Sequence, residues 1–136
     1  MNQEYKQLIL KDLCARVPYH PKGHVVNACN GAECDEWLTC ATFPMFTSAT
    51  NNCRLYLRPL SSMTEEEKHY IDNRWGVDNY GDIITYSSYE GGMSTVELAD
   101  IIGFQDWLNA HHFDYRGLIE KGLAIEVTEE NNPYKE

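Results

Sequence analysis

The chain has 136 residues, of which 43% are hydrophobic and 24% charged, so it is long enough for one globular domain with its own core. The formal net charge of −10 argues against direct binding to nucleic acid or to an anionic membrane, since both require a basic surface. An apolar run long enough to span a bilayer is lacking. The five cysteines, an odd number, are read as free thiols of a reducing compartment, which predicts a cytoplasmic protein.

The first half of the chain predicts one helix followed by strands. Apolar residues recur at three- and four-residue steps over 3–16, which indicates an amphipathic helix. Val25 begins a short strand, and Asn30-Gly31 is typical of a tight turn. Alternation of side chains predicts further strands over 36–43 and 54–58.

The second half predicts helices that alternate with shorter extended segments. In chain order these are a helix over 63–74, a loop over 76–82, a strand over 83–89, a helix over 95–111, a short helix over 115–121 and an extended segment over 123–127. Ser62 with Glu65, and Ser94 with Glu97, have the spacing of capping boxes at the first two helix starts. Asp114 is placed to cap the short helix, and Gly122 to end it.

These elements together predict the α+β class. We expect a small, mainly antiparallel sheet packed with three to four helices, because the strand candidates are joined by connections of hairpin length. Residues 1–127 are predicted to form a single globular domain. Residues 128–136 are predicted to form a mobile polar tail.

Three segments carry a family resemblance: Leu8–Tyr19 (LILKDLCARVPY), Tyr56–Glu67 (YLRPLSSMTEEE) and Trp107–Ala124 (WLNAHHFDYRGLIEKGLA). Together they resemble, in the same order, short uncharacterised proteins encoded by phages, prophages and mobile elements of gut bacteria. The resemblance covers about a third of the chain and does not extend to 20–52. It implies a biological setting, the cytoplasm of a bacterial host cell, but no activity, and it assigns no role to any residue.

The densest group of chemically capable side chains lies near the end of the predicted 95–111 helix. It consists of His111, His112, Asp114, Tyr115 and Arg116. A histidine held by a carboxylate can act as a base, so a small hydrolase is one alternative. Adjacent helical residues point in different directions, however, and the same residues suit a helix corner or a binding surface. We therefore treat the group as a candidate binding site and predict no catalytic residue.

A second candidate is an acidic surface at and after the start of the 63–74 helix, formed by Glu65, Glu66, Glu67, Asp72, Asp78 and Asp82. Carboxylates in the first turn of a helix are favoured by its dipole, and a solvated helix start explains them without any partner. If they are functional, these carboxylates occupy the positions that nucleic-acid phosphates normally occupy on the surface of a nucleic-acid-binding partner. The chain would then mimic nucleic acid and inhibit a host nuclease or regulator.

Metal binding is the remaining alternative. His20, His24, Cys29 and Cys34 lie close together and are ligand types that zinc accepts, but their spacing differs from that of a zinc knuckle. We predict no metal and no cofactor. The sequence contains no nucleotide-binding loop and no hydrolase motif. The leading hypothesis is a non-enzymatic accessory protein of a phage or mobile element that binds another protein, of the host or of the phage.

Overall fold

The computed structural model describes residues 3–48, 50–80, 83–86 and 98–134 and confirms the predicted α+β class. Within these ranges the helices are α1 (Gln3–Arg16), α2 (Phe43–Thr47), α3 (Glu65–Trp75) and α4 (Leu98–Ala110). The strands are β1 (Lys22–Asn27), β2 (Glu33–Trp37), β3 (Asn51–Pro59), β4 (Val77–Tyr80), β5 (Ile83–Tyr86), β6 (Phe113–Asp114) and β7 (Ala124–Glu126). They form two compact units, unit 1 (1–58 with 116–136) and unit 2 (59–115), whereas the sequence suggests one domain.

Unit 1 is built on a sheet in which β2, β1, β3 and β7 lie side by side in that order. The first three strands pair antiparallel, and β7 pairs parallel to β3. The helix α1 contributes Leu13 to a core under the sheet, with Leu8 and Ile9 packed against it, and its range of Gln3–Arg16 confirms the predicted helix. The buried members of this core are Leu13, Val25, Leu38, Phe46, Leu55, Leu57, Leu118 and Ala124.

The predicted strand over 36–43 is wrong beyond its second residue, because β2 ends at Trp37. Thr39 and Thr42 turn the chain there: the Thr39 amide donates to Thr42 Oγ1 (2.9 Å), and the Phe43 amide donates to the Thr39 carbonyl (2.8 Å). Short hydroxyl side chains compete in this way with strand pairing. Pro44 then lies in the first turn of α2, where its missing N–H has no cost.

The start of α3 has a capping box, but it is formed by Thr64 and Glu67 rather than by Ser62 and Glu65. Glu67 donates its amide to Thr64 Oγ1 (3.2 Å), and its own carboxylate accepts the Thr64 amide (2.9 Å). The helix ends at Gly76, whose positive φ of 66° is a conformation that favours glycine. The capping box thus lies two residues later than the spacing of Ser62 and Glu65 predicts.

The remaining elements of unit 2 are the β4–β5 pair and α4, together with the short β6. The strands β4 and β5 pair antiparallel, so the predicted loop over 76–82 is wrong for 77–80. The predicted strand over 83–89 and helix over 95–111 are confirmed where the structure describes them, while Ser94 and Glu97 lie outside the described residues. A separate core holds Met63, Ile71, Phe104, Leu108 and Phe113.

The predicted short helix over 115–121 is wrong, since this segment consists of turns that return the chain to unit 1. Leu118 packs into the core of unit 1, and a turn ends at Gly122, where φ is 73°. The predicted extended segment is confirmed as β7. Beyond it, residues 128–134 are described, and the Tyr134 hydroxyl contacts the backbone of the sheet.

Candidate functional site

The predicted group near the end of α4 is divided between the two units. In unit 2 the His111 ring lies 4.2 Å from the Trp107 ring, and its Nδ1 is 2.9 Å from the Trp107 carbonyl oxygen. Asp114 is buried in β6. The Tyr115 hydroxyl donates to Asn109 Oδ1 at 2.9 Å. Each of these contacts stabilises the corner after α4, and the predicted binding role of the group stays a prediction.

Arg116 opens the returning segment of unit 1 and takes part in an ion cluster that the sequence analysis missed. The Arg16 Nε donates to Asp12 Oδ2 at 2.8 Å, and the Arg116 Nε lies 3.2 Å from the other oxygen of the same carboxylate. Asp12 and Arg16 are buried, with 1% and 0% of their surface exposed. Their spacing of four residues along α1 was the available signal. The cluster holds α1 to the segment that follows Arg116.

The acidic candidates at the start of α3 have separate local roles. Glu65 and Glu66 are exposed, and Glu65 Oε1 lies 3.3 Å from the Lys68 ammonium. Glu67 closes the capping box. Asp72 is exposed one turn before the helix end. Of the other two candidates, Asp78 lies in β4, where only the backbone is described, and Asp82 lies outside the described residues.

The zinc alternative is not supported by the placement of its residues. Among the described residues, no group of three or more His, Cys, Asp and Glu side chains is arranged to hold a metal ion. His20 is exposed in a left-handed conformation (φ 49°), and Cys29 and Cys34 are exposed free thiols. His24 instead contacts a carboxylate on the neighbouring strand.

That carboxylate belongs to Asp35 and is the centre of a network on the outer face of the sheet, opposite the core. His24 and Asp35 face each other across β1 and β2. Asp35 Oδ1 lies 2.8 Å from His24 Nδ1 and accepts a hydrogen bond from the Tyr56 hydroxyl at 3.1 Å. The second nitrogen of the histidine, Nε2, is 3.7 Å from Glu33 Oε2. Three strands thus contribute to one polar cluster.

The electrostatics of the network follow from these contacts. The hydrogen bond from His24 lowers the pKa of Asp35, against the opposing effect of desolvation, and the Tyr56 hydroxyl adds to the lowering. The pKa of Tyr56 is raised, first by burial and then by its bond to the Asp35 carboxylate. Asp35 is therefore held as an anion and Tyr56 as a neutral donor. This pairing fixes the orientation of both side chains.

Trp37 lies two residues from Asp35 on the same strand and therefore on the same face. Its side chain is 44% exposed, which is high for a tryptophan. The Lys22 ammonium lies 4.8 Å from the centre of the Trp37 ring, and the Tyr134 ring lies 6.2 Å from it. The Trp37 ring thus forms a cation–π contact with Lys22 of the same chain.

Tyr134 anchors the C-terminal segment to this face. Its hydroxyl accepts the Lys22 amide at 2.9 Å and donates to the Tyr56 carbonyl at 2.6 Å. Its pKa is raised well above 10.0, chiefly by burial. The polar tail predicted from 128 onward is thus attached to the sheet at Tyr134. The surface that we call the outer sheet face is formed by Lys22, His24, Glu33, Asp35, Trp37 and Tyr56.

Comparison with protein-family models, with curated proteins and with solved structures finds no match to this chain. Within the described residues, no helix combines the length and the apolar character needed to cross a membrane. The geometry of the outer sheet face supplies a half-exposed aromatic ring, an oriented carboxylate and a histidine on paired strands. Such an arrangement is suited to binding another macromolecule by contact.

Proposed function

We propose that this chain is an accessory protein of a phage or mobile element that acts by binding a protein partner through the outer sheet face. The exposed Trp37 on a hydrogen-bonded strand is the observation that carries the proposal. Tryptophan is enriched among the residues that dominate binding energy at protein interfaces. The setting rests on the resemblance of the three sequence segments.

The surroundings of Trp37 support a binding role in two ways. The ring stands on β2, whose position is fixed by pairing with β1, so little conformational freedom is lost when a partner binds. The polar groups beside it are also fixed in advance, since Asp35 is bonded to both His24 and Tyr56. An oriented polar rim around an aromatic anchor is the usual composition of a protein interface.

The experiment compares two truncations of exposed apolar side chains in unit 1. The full chain is used to capture a partner from host lysate, and the complex is then reconstituted from purified components. Trp37→Ala is expected to weaken binding by about 30-fold, which corresponds to about 2 kcal/mol for an interface anchor. Leu10→Ala is the matched control, since Leu10 is 48% exposed on α1, and its affinity should stay within about twofold.

A third variant, Tyr70→Ala, removes an aromatic side chain that is 50% exposed in unit 2. If Tyr70→Ala weakens the complex and Trp37→Ala does not, the docking surface lies on unit 2 and the proposal is wrong. The acidic alternative is tested on the same complex. A charge-mimic of nucleic acid requires that Glu65→Gln and Glu66→Gln weaken binding and reduce its salt dependence.

A further inference from the structure

Among the strands that the structure describes, β2 lies at an edge of the sheet in unit 1 and pairs with β1 on one side. Two bonds that continue the β1–β2 ladder fix which backbone groups face outward: the Asn27 amide donates to the Ala32 carbonyl, and the Leu38 amide to the Pro21 carbonyl. Bonding alternates along an antiparallel pair, so Ala32, Cys34, Glu36 and Leu38 face β1. The N–H and C=O groups of Glu33 and Asp35 therefore face away from the sheet.

The side chains along this edge are mainly acidic. Glu33, Asp35 and Trp37 alternate along β2 and stand on the outer sheet face. The side chains of Glu33 and Asp35 are 52% and 44% exposed, and Glu36 adds a third acidic residue on the opposite face of the sheet. The edge thus offers a short row of backbone donors and acceptors flanked by carboxylates and an indole.

We propose that β2 accepts an extended, basic protein segment as an additional strand, a refinement that rests on the proposed function. Basic residues at alternate positions of such a segment would all stand on the outer sheet face. There they meet Glu33, Asp35 and the Trp37 ring, which binds cations through its face. The Lys22 ammonium 4.8 Å from the Trp37 ring centre is an intramolecular instance of the same contact. The net charge of −10 draws a basic segment toward the chain.

The probe is a synthetic peptide of about eight residues, a usual strand length, in which lysine and threonine alternate. A second peptide of the same composition groups its lysines in a block, and a third carries an N-methyl group at every internal amide, so that neither of its edges offers internal N–H donors for strand pairing. Titration of each peptide into the full-length protein is followed by Trp37 fluorescence in a Trp75→Phe, Trp107→Phe background. The alternating peptide should bind about tenfold more tightly than either control.

Two variants at one position separate backbone pairing from charge. The Glu33 amide faces away from β1, so Glu33→Pro removes an outward donor and leaves the β1–β2 ladder intact. Glu33→Gln keeps the amide and removes the charge. We expect Glu33→Pro to abolish the preference for the alternating peptide. Glu33→Gln should weaken all lysine peptides by about threefold while the preference persists. Unchanged circular dichroism and melting temperature verify the fold of both variants.

The proposal is overturned if the block peptide binds as tightly as the alternating one, since attraction would then be electrostatic only. It is also overturned if Glu33→Pro binds the alternating peptide as the parent does, or if no peptide binds. These results leave the proposed function intact when Trp37→Ala still weakens the reconstituted partner complex. Conversely, a partner that binds Trp37→Ala as tightly as the parent refutes the proposed function, regardless of how the peptides bind.

Discussion

The Tyr134 hydroxyl provides a sharp test of how the C-terminal segment stabilises unit 1. Pairing of β1 with β3 ends at Gly23 opposite Leu55. One residue beyond, the hydroxyl joins the two strands by accepting the Lys22 amide and donating to the Tyr56 carbonyl. Tyr134→Phe keeps the ring but removes this bridge, so that the Lys22 amide loses this acceptor and the Tyr56 carbonyl loses this donor.

The expected loss follows from the cost of leaving polar backbone groups unsatisfied. A fully buried group costs about 1–3 kcal/mol. Because the Lys22 amide and the Tyr56 carbonyl are only partly buried, the substitution should lower the free energy of unfolding of unit 1 by about 2 kcal/mol in total. Urea denaturation followed by Trp37 fluorescence in the Trp75→Phe, Trp107→Phe background measures this loss, and hydrogen exchange of the Lys22 amide locates it. Tyr70→Phe is the matched control, because this hydroxyl belongs to an exposed side chain in unit 2. A loss below about 0.5 kcal/mol with unchanged Lys22 exchange would refute the reasoning.

Three further predictions follow from the described contacts. The pKa of Asp35 is lowered in the folded state, so this residue stabilises the fold above pH 3.8, its ordinary pKa, and the stabilisation is lost as the pH falls through the folded-state pKa. His24→Gln removes the main cause and should raise the Asp35 pKa, which NMR titration of the carboxyl carbon chemical shift measures. Arg16→Met leaves the buried Asp12 carboxylate with Arg116 as its remaining cation and should cost about 3 kcal/mol in urea unfolding, whereas a loss under about 1 kcal/mol would show that the ion cluster contributes little. Burial raises the pKa of the Cys53 thiol to about 11, so at pH 8 iodoacetamide should alkylate it more slowly than the exposed Cys34, as peptide mass spectrometry can measure; equal rates would contradict this.

The elements that sequence reasoning predicted well are those governed by local rules. The periodic apolar stripe of α1 and the alternation along β3 are visible in the sequence, and both elements are confirmed. The strand predicted over 36–43 failed because hydroxyl side chains of Thr39 and Thr42 bond to the backbone and turn the chain. A pattern of alternating side chains does not reveal such a competition.

The outer sheet face was missed for a different reason, since its residues meet only through strand pairing. His24 and Asp35 are 11 residues apart, and the hairpin register that brings them together depends on the turn near Gly31. The Asn30-Gly31 turn was recognised, so the register was within reach. The role of Tyr134 could not be predicted in this way. Its hydroxyl contacts Tyr56 and Lys22, which are 78 and 112 residues away in the sequence, and no local sequence pattern indicates such contacts.

The most direct test of the central claim is to measure the affinity of the purified partner for three chains: the parent, Trp37→Ala and Leu10→Ala. Docking through the outer sheet face predicts about 30-fold weaker binding for Trp37→Ala and a change within about twofold for Leu10→Ala. Equal affinities for all three chains would contradict the account.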